Sequence, residues 1–292
     1  MHPFSRVPGT KGLDMSFESE LDNYLDTHRE YEKLAISIAE IGGDYRYGLN
    51  ENDWMPTAST MKLFVLGALL KKCERGEEKL DRFVTIEKEH LYPGSGILRY
   101  LSVGIQLTVR DLLVLMVILS DNSATNLCID IVGGLPEVNR HIREIGVENA
   151  SVNRKVYDSS PNPEKKRLAD VSPRAYTDYL VKVRTSDFFS PEYREPFFSI
   201  LEDQKYKDMF PRYMPLEDYD DDGTVRVMNK TGFSGGVRAD TGIVAFANKR
   251  EFAYAVMVSG SRDESYSYDN RTHLMMADIG KLFYDHFGKQ DD

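Results

Sequence analysis

Ser59 and Lys62 stand three residues apart, where a loop gives way to the apolar run Leu63-Phe64-Val65-Leu66. On a helix that spacing puts both side chains on one face. A serine hydroxyl is a poor nucleophile until a base takes its proton. A lysine one turn along is such a base once its ammonium is made to deprotonate. The free N–H groups and dipole of a helix start also favour negative charge at Ser59. Ser-x-x-Lys alone decides nothing, because a chain of this composition carries about one by chance, and it could equally be an ordinary helix start with an exposed lysine. Two further motifs change its weight: Ser120-Asp121-Asn122 and Lys230-Thr231-Gly232 follow in that order. The first comes directly after an apolar helix, and the second lies on a strand beside a Gly-rich turn. Chance agreement of all three, in order and in context, is well below about 1%.

The elements that must position these groups are read from periodicity. Phe17, Leu21, Tyr24, Leu25 and Tyr31 recur at helical spacing from Ser16 to about residue 32. Leu34 to Ile41 reads as a strand, Gly42-Gly43 as a hairpin turn, and alternating Tyr45, Tyr47 and Leu49 as a second strand. From about 56 to 203 the pattern is helical, with helices over about 59–72, 109–119, 124–132, 136–145, 172–183 and 191–203. Thr108 caps the second of these, with Asp111 at the capping-box position. That helix is apolar almost all round, which predicts a buried central position. Residues 83–107 are less regular. Residues 149–171 form a long polar segment without a period, and loops of that length are usually functional. Strand character returns at Val225–Gly232, Thr241–Asn248 and Glu251–Ser259. A last amphipathic helix runs from about Asn270 to His286, with Leu274, Met275, Ile279, Leu282 and Phe283 on its apolar side. Five strands from both chain ends predict one antiparallel sheet with flanking helices and an inserted all-helical lobe, an α/β (α+β) architecture. We expect one catalytic domain over 16–292, with a helical lobe (about 56–203) inserted into a sheet lobe (16–55 and 224–292). Active sites favour such lobe boundaries. Residues 1–15, rich in Gly, Pro and basic residues, read as a disordered extension, a tag or a trimmed leader.

Composition excludes several function classes. The 292 residues are 41% apolar and 29% charged, enough for a sizeable core in a soluble protein. A net charge of −10 without any Lys/Arg tract speaks against nucleic-acid binding. The six histidines are scattered and none shows i, i+4 pairing, so no metal or other cofactor is expected. Asp218-Tyr219-Asp220-Asp221-Asp222-Gly223 matches the start of a calcium loop, but the twelfth position is Asn229 and a strand follows, so it reads as an acidic turn. No run approaches a membrane span, and residues 1–15 lack the apolar core of a signal peptide. Cys73 and Cys128 fall within apolar helical patterns and are expected as buried free thiols. Trp54 reads as a core residue. A monomer acting on a small molecule is the expected state.

On its three motifs the sequence resembles the penicillin-recognising serine hydrolases, and within them the class A β-lactamase branch. The likeness extends over nearly all of residues 17–287 and includes Gly94-Ser95-Gly96-Ile97-Leu98 and Leu107-Thr108-Val109-Arg110-Asp111-Leu112-Leu113. It implies a β-lactamase/transpeptidase-like fold, an acyl-enzyme on Ser59, and β-lactams or D-alanyl-D-alanine peptides as substrates. It also implies an extracellular or periplasmic site, with a cytoplasmic one left open. In that setting Lys62 takes the Ser59 proton, and the nearby charge of Lys230 depresses the pKa of Lys62. Ser120 passes a proton to the leaving nitrogen. Asn122 bonds the substrate amide and Lys62, while Lys230 and Thr231 bind a substrate carboxylate. Gly232 lets substrate approach the strand backbone closely. By resemblance, the backbone N–H groups of Ser59 and Phe233 form the oxyanion hole. Arg238 is either a second carboxylate contact or a surface or structural salt-bridge arginine.

One departure from the family pattern bears on turnover. Class A β-lactamases carry an omega-loop glutamate, in a Glu-Pro-x-x-Asn context, that activates the deacylating water. Residues 153–173 hold no such sequence and form a slightly shorter loop. Asp158 and Glu164 are the candidate replacements, each with the alternative of being a solvated loop carboxylate. Without a base the acyl-enzyme turns over slowly. The expectation is a serine hydrolase acylated at Ser59 by β-lactams, hydrolysing the amide bond, with slow deacylation. A peptidoglycan D-alanyl-D-alanine peptidase or other acyl hydrolase is the alternative, and a non-catalytic β-lactam or peptidoglycan sensor is the second.

Overall fold

In the computed structural model, which describes residues 16–28, 31–157, 167–218, 221–222 and 224–289, helix α1 (Phe17–Thr27) leads into strands β1 (Lys33–Glu40) and β2 (Arg46–Leu49). Strand β3 (Met55–Pro56) and a 3₁₀ turn (Ala58–Met61) precede α2 (Lys62–Glu74). Next come β4 (Phe83–Thr85), β5 (Gln106–Thr108), α3 (Val109–Ile118), α4 (Asn122–Val132) and α5 (Leu135–Glu144). Strands β6 (Ala150–Val152) and β7 (Ala169–Val171) precede α6 (Pro173–Thr185) and α7 (Pro191–Glu202). The chain closes with β8 (Glu217–Asp218), β9 (Asp221–Asp222), β10 (Val225–Ser234), β11 (Val237–Phe246), β12 (Glu251–Ser259) and α8 (Arg271–Phe287).

The main sheet has five antiparallel strands in the order β10-β11-β12-β1-β2, so both ends of the chain build it. Its period of two sends alternate residues to opposite faces. On β12, Ala253, Ala255 and Met257 join the core shared with α2, α3, α4 and α6, as does Ala35 of β1. Phe252, Tyr254, Val256 and Val258 face the other core, with Phe17 and Leu21 of α1 and Met276, Ile279 and Phe283 of α8. Burying aliphatic or aromatic side chains of this size contributes about 1.5–3 kcal/mol each. The small alanines let the helical elements close down on the sheet, which places the start of α2 against β10.

Local signals explain most boundaries. Thr108 and Asp111 form a reciprocal capping box at the start of α3 (Asp111 N to Thr108 Oγ1 3.1 Å, Thr108 N to Asp111 Oδ2 2.9 Å). Ser172 caps α6 through Ala175 N at 3.2 Å, with Pro173 in its first turn. Cys73 and Cys128 are free and buried. No described helix is long and apolar enough to cross a membrane.

Several expectations are corrected. The strand read as Thr241–Asn248 is Val237–Phe246, because buried Arg238 and Asp240 break the apolar alternation that marks a strand. Residues 83–108 contain the β4–β5 pair. The segment 149–171 carries β6 and β7, which pair with each other, and β7 also pairs with β3 just before Ser59. Strands of two or three residues have no detectable period, so only their partners reveal them. The helix expected from Ser59 begins as a 3₁₀ turn, with α2 proper starting at Lys62. Trp54, read as core, is 49% exposed, since it follows the surface turn at 50–53. Of the acidic run, Glu217–Asp218 pairs with Asp221–Asp222, and residues 219, 220 and 223 lie outside the described residues. Residues 1–15 also lie outside them.

Candidate active site

Ser59 sits in the 3₁₀ turn at the head of α2. Thr60 pins that turn by donating from its N and Oγ1 to the Thr57 carbonyl (3.2 and 2.8 Å), and its hydroxyl meets Tyr176 Oη of α6 at 2.8 Å. Ala58 takes φ 45°, a left-handed conformation that costs an L-residue roughly 1–2 kcal/mol. Strand β10 presses on the turn from the other side. A Cβ on Gly232 would lie 2.5 Å from the Thr57 carbonyl oxygen and 2.9 Å from Ser59 N. Gly232 is therefore needed for contact between strand and turn. Gly232→Ala should lower stability by about 1–3 kcal/mol, read as a lower urea midpoint, and should move the serine. An unchanged midpoint would show that the turn yields freely.

Ten of the thirteen residues of α2 are buried, and Lys62 is the one charged side chain among them. Its Nζ donates to Ser120 O (2.7 Å), Ser120 Oγ (3.1 Å) and Asn122 Oδ1 (3.3 Å). Lys230 is equally buried, and its Nζ donates to the same Ser120 Oγ (3.2 Å) and to the Thr231 carbonyl (2.8 Å). Two amines thus share one hydroxyl oxygen, which has two lone pairs to accept with and its own hydrogen left to give. Burial first, and then the charge of Lys230, hold Lys62 well below the usual lysine range. Burial pushes Lys230 down to about 7, against the opposing pull of Asp240.

Ser120 is held by its backbone. It adopts φ 54° between α3 and the Asp121 N-cap of α4. Asp121 N donates to Leu115 O (3.0 Å), Asp121 Oδ1 accepts from Ala124 N (2.9 Å), and Oδ2 accepts from Leu98 N (2.7 Å). Asn122 adds bonds from its N to Ser95 O and from Nδ2 to Pro93 O, both 3.0 Å. These contacts lock the 93–98 loop onto the start of α4 and aim the Ser120 carbonyl at Lys62. Positive φ at Ala58 and Ser120 marks strain gathered at a functional site.

A cleft of about 490 Å³ opens over Ser59. Asn122 and Phe233 line it beside the serine, and Arg154, Val156 and Tyr157 form its loop side. Among the described residues no carboxylate lines it. The loop side is anchored through Asn126 of α4, which accepts from Val156 N (3.0 Å) and donates to Val156 O (2.9 Å).

A family model for the β-lactamase enzyme family matches residues 16–287. The chain belongs to the β-lactamase enzyme family. It is a serine hydrolase of the β-lactamase type. The β-lactamase BRO-1 of Moraxella catarrhalis is 23% identical over 242 residues, which is 80% of this chain and 73% of that protein. The structure of PBP-A superposes with a TM-score of 0.79 at 23% identity, covering 94% of this chain and 96% of its own. A β-lactamase from Sphaerobacter thermophilus also gives 0.79, at 25% identity, over 92% and 95% of the two chains.

Within this β-lactamase-family site, Ser59, Asn122 and Phe233 line the cleft, while Lys62, Ser120, Lys230 and Thr231 lie buried. Arg238 does not join them as a carboxylate contact. It is 1% exposed, and its guanidinium donates to the carbonyls of Gly235, Val237, Asp263 and Ser265. It ties the β10–β11 turn to the loop before α8, and its acceptors are carbonyls rather than the carboxylate of an ion pair. Asp158 and Glu164 lie outside the described residues. Sequence reasoning missed Arg154, Val156, Tyr157 and Tyr266, which also lines the cleft. All four lie in stretches without periodicity, where only the fold says which side chains meet.

Proposed function

We propose that Ser59 is acylated by β-lactams and that the acyl-enzyme is released slowly. The observation that carries this reading is the convergence of buried Lys62 and Lys230 on Ser120 Oγ (3.1 and 3.2 Å). Neutral Lys62 takes the proton of Ser59 as its oxygen attacks the carbonyl carbon. The Ser59 and Phe233 N–H groups stabilise the oxyanion. When the C–N bond breaks, the Ser120 hydroxyl gives its proton to the leaving nitrogen and is reprotonated from Lys62, so the proton taken from serine ends on the amine. The charge of Lys230 and the hydroxyl of Thr231 bind the carboxylate beside that nitrogen. Among the described residues Thr231 Oγ1 is buried without a hydrogen-bond partner, which supports a ligand-directed role.

Slow release rests on the cleft lining. Water attacking an ester needs a general base within reach, and the described lining offers apolar Val156 and no carboxylate. That same feature favours, as a second reading, a D-alanyl-D-alanine peptidase for which penicillin is a poorly released inhibitor.

Time-resolved intact-mass spectrometry with benzylpenicillin tests this directly. An adduct that outlasts mixing many-fold in the native protein, and is missing in Ser59→Ala, is expected. An adduct in Ser59→Ala, or none in the native protein, would remove Ser59 as nucleophile. An adduct that vanishes within the mixing time would overturn slow release alone.

A further inference from the structure

We propose that Arg154 is an anion-binding residue on the loop side of the cleft, and that it selects substrates whose acyl portion carries a carboxylate. The proposal rests on the acyl-enzyme reading of Ser59. If Lys230 and Thr231 hold the carboxylate on the nitrogen side of the scissile bond, the acyl portion extends from Ser59 the other way. The wall formed by Arg154, Val156 and Tyr157 lines the same cleft as Ser59 and is the part we assign to that portion.

Arg154 is suited to receive an anion there. Two acids among the described residues beside it are committed to other partners: Asp170 accepts from Arg167 on Oδ1 and from Asn153 on Oδ2 (both 2.9 Å), and Asp130 of α4 pairs with Lys155. Among the described residues Arg154 Nε is buried with no hydrogen-bond partner, and nothing accepts from its guanidinium. Leaving such a donor unpaired costs free energy in the unliganded protein, which an incoming carboxylate would recover. The guanidinium fork matches a carboxylate bidentately.

The base of the side chain is also fixed. Asn153 N and Arg154 N both donate to Leu168 O (2.8 and 3.2 Å), and Asn126 clamps Val156 two residues on. A cation on a rigid ledge discriminates by position rather than by general attraction. General attraction is unavailable in any case, because a chain of net charge −10 repels a dianion overall.

Benzylpenicillin and carbenicillin provide a matched pair, differing by one carboxylate on the acyl side chain. The second-order acylation rate constant of each is measured by intact mass in the native protein, in Arg154→Met and in Arg154→Lys, with a thermal melt to confirm folding. The quantity read is the carbenicillin-to-benzylpenicillin ratio within each protein, so a general loss of competence cancels. The ratio should be about five-fold higher in the native protein than in Arg154→Met, with Arg154→Lys between them, and should shrink as salt is raised. If Arg154→Met does not fold, the lysine variant decides, because it keeps the charge but loses the fork. The same ratio in every folded protein would overturn the role of Arg154 while leaving Ser59 acylation intact. No acylation of the native protein by either lactam would overturn the Ser59 reading, and this one with it.

Discussion

Lys62→Met should slow acylation by benzylpenicillin about a thousand-fold, the scale of a lost general base. The side chain is fully buried in α2 and bonded to Ser120 and Asn122, so methionine of similar reach fills its space. Two stability terms oppose each other. Removing a desolvated amine is favourable, while the Ser120 carbonyl and Asn122 Oδ1 each lose a donor. The variant should therefore stay folded, and its thermal melt separates a chemical from a structural loss.

The pH profile of acylation follows from the same two amines. On the acid side the rate falls when Lys62, held well below the usual lysine range, gains its proton and ceases to be a base. On the alkaline side it falls when Lys230, pushed down to about 7, loses the charge that binds the substrate carboxylate. For the free enzyme the alkaline limb should begin near neutrality. Acylation of Lys62→Met within ten-fold of the native rate would place the base elsewhere, and a profile flat to strongly alkaline pH would remove the charge of Lys230 from binding.

Val156→Glu should shorten the lifetime of the benzylpenicillin adduct about a hundred-fold. Val156 is 6% exposed, lines the cleft with Ser59, and has its backbone clamped on both sides by Asn126. A glutamate there brings a carboxylate to the described lining, which has none. Arg154, two residues earlier on the same wall, favours its ionised form. Val156→Gln has the same size and no base, so it is the control. Equal adduct lifetimes in the glutamate and glutamine variants would mean that the lack of a carboxylate on the described lining is not what limits release.

The sequence alone determined the three motifs, the elements that carry them, and the sheet built from both chain ends. These signals are local. Ser59 and Lys62 are a helical turn apart, Thr108 and Asp111 form a capping box, and β12 is a continuous apolar run. The order of the motifs was enough to mark the family. Tertiary structure decided the rest, because burial and partnership are long-range properties. Arg238 and Lys230 are both cations on strands beside one turn, yet one ties down loop carbonyls and the other meets Ser120 across the lobe boundary. That Gly232 also has to pack against the turn before Ser59 shows only in the fold, where a Cβ would lie 2.5 Å from the Thr57 carbonyl oxygen. Arg154 and Val156 belong to a segment without a period, and they became cleft residues only when β6 and β7 closed on β3 and Asn126 took hold of the loop. A motif specifies which groups are present. The desolvation that lowers the Lys62 pKa, and the lining of the cleft over Ser59, depend on side chains brought together from more than a hundred residues apart.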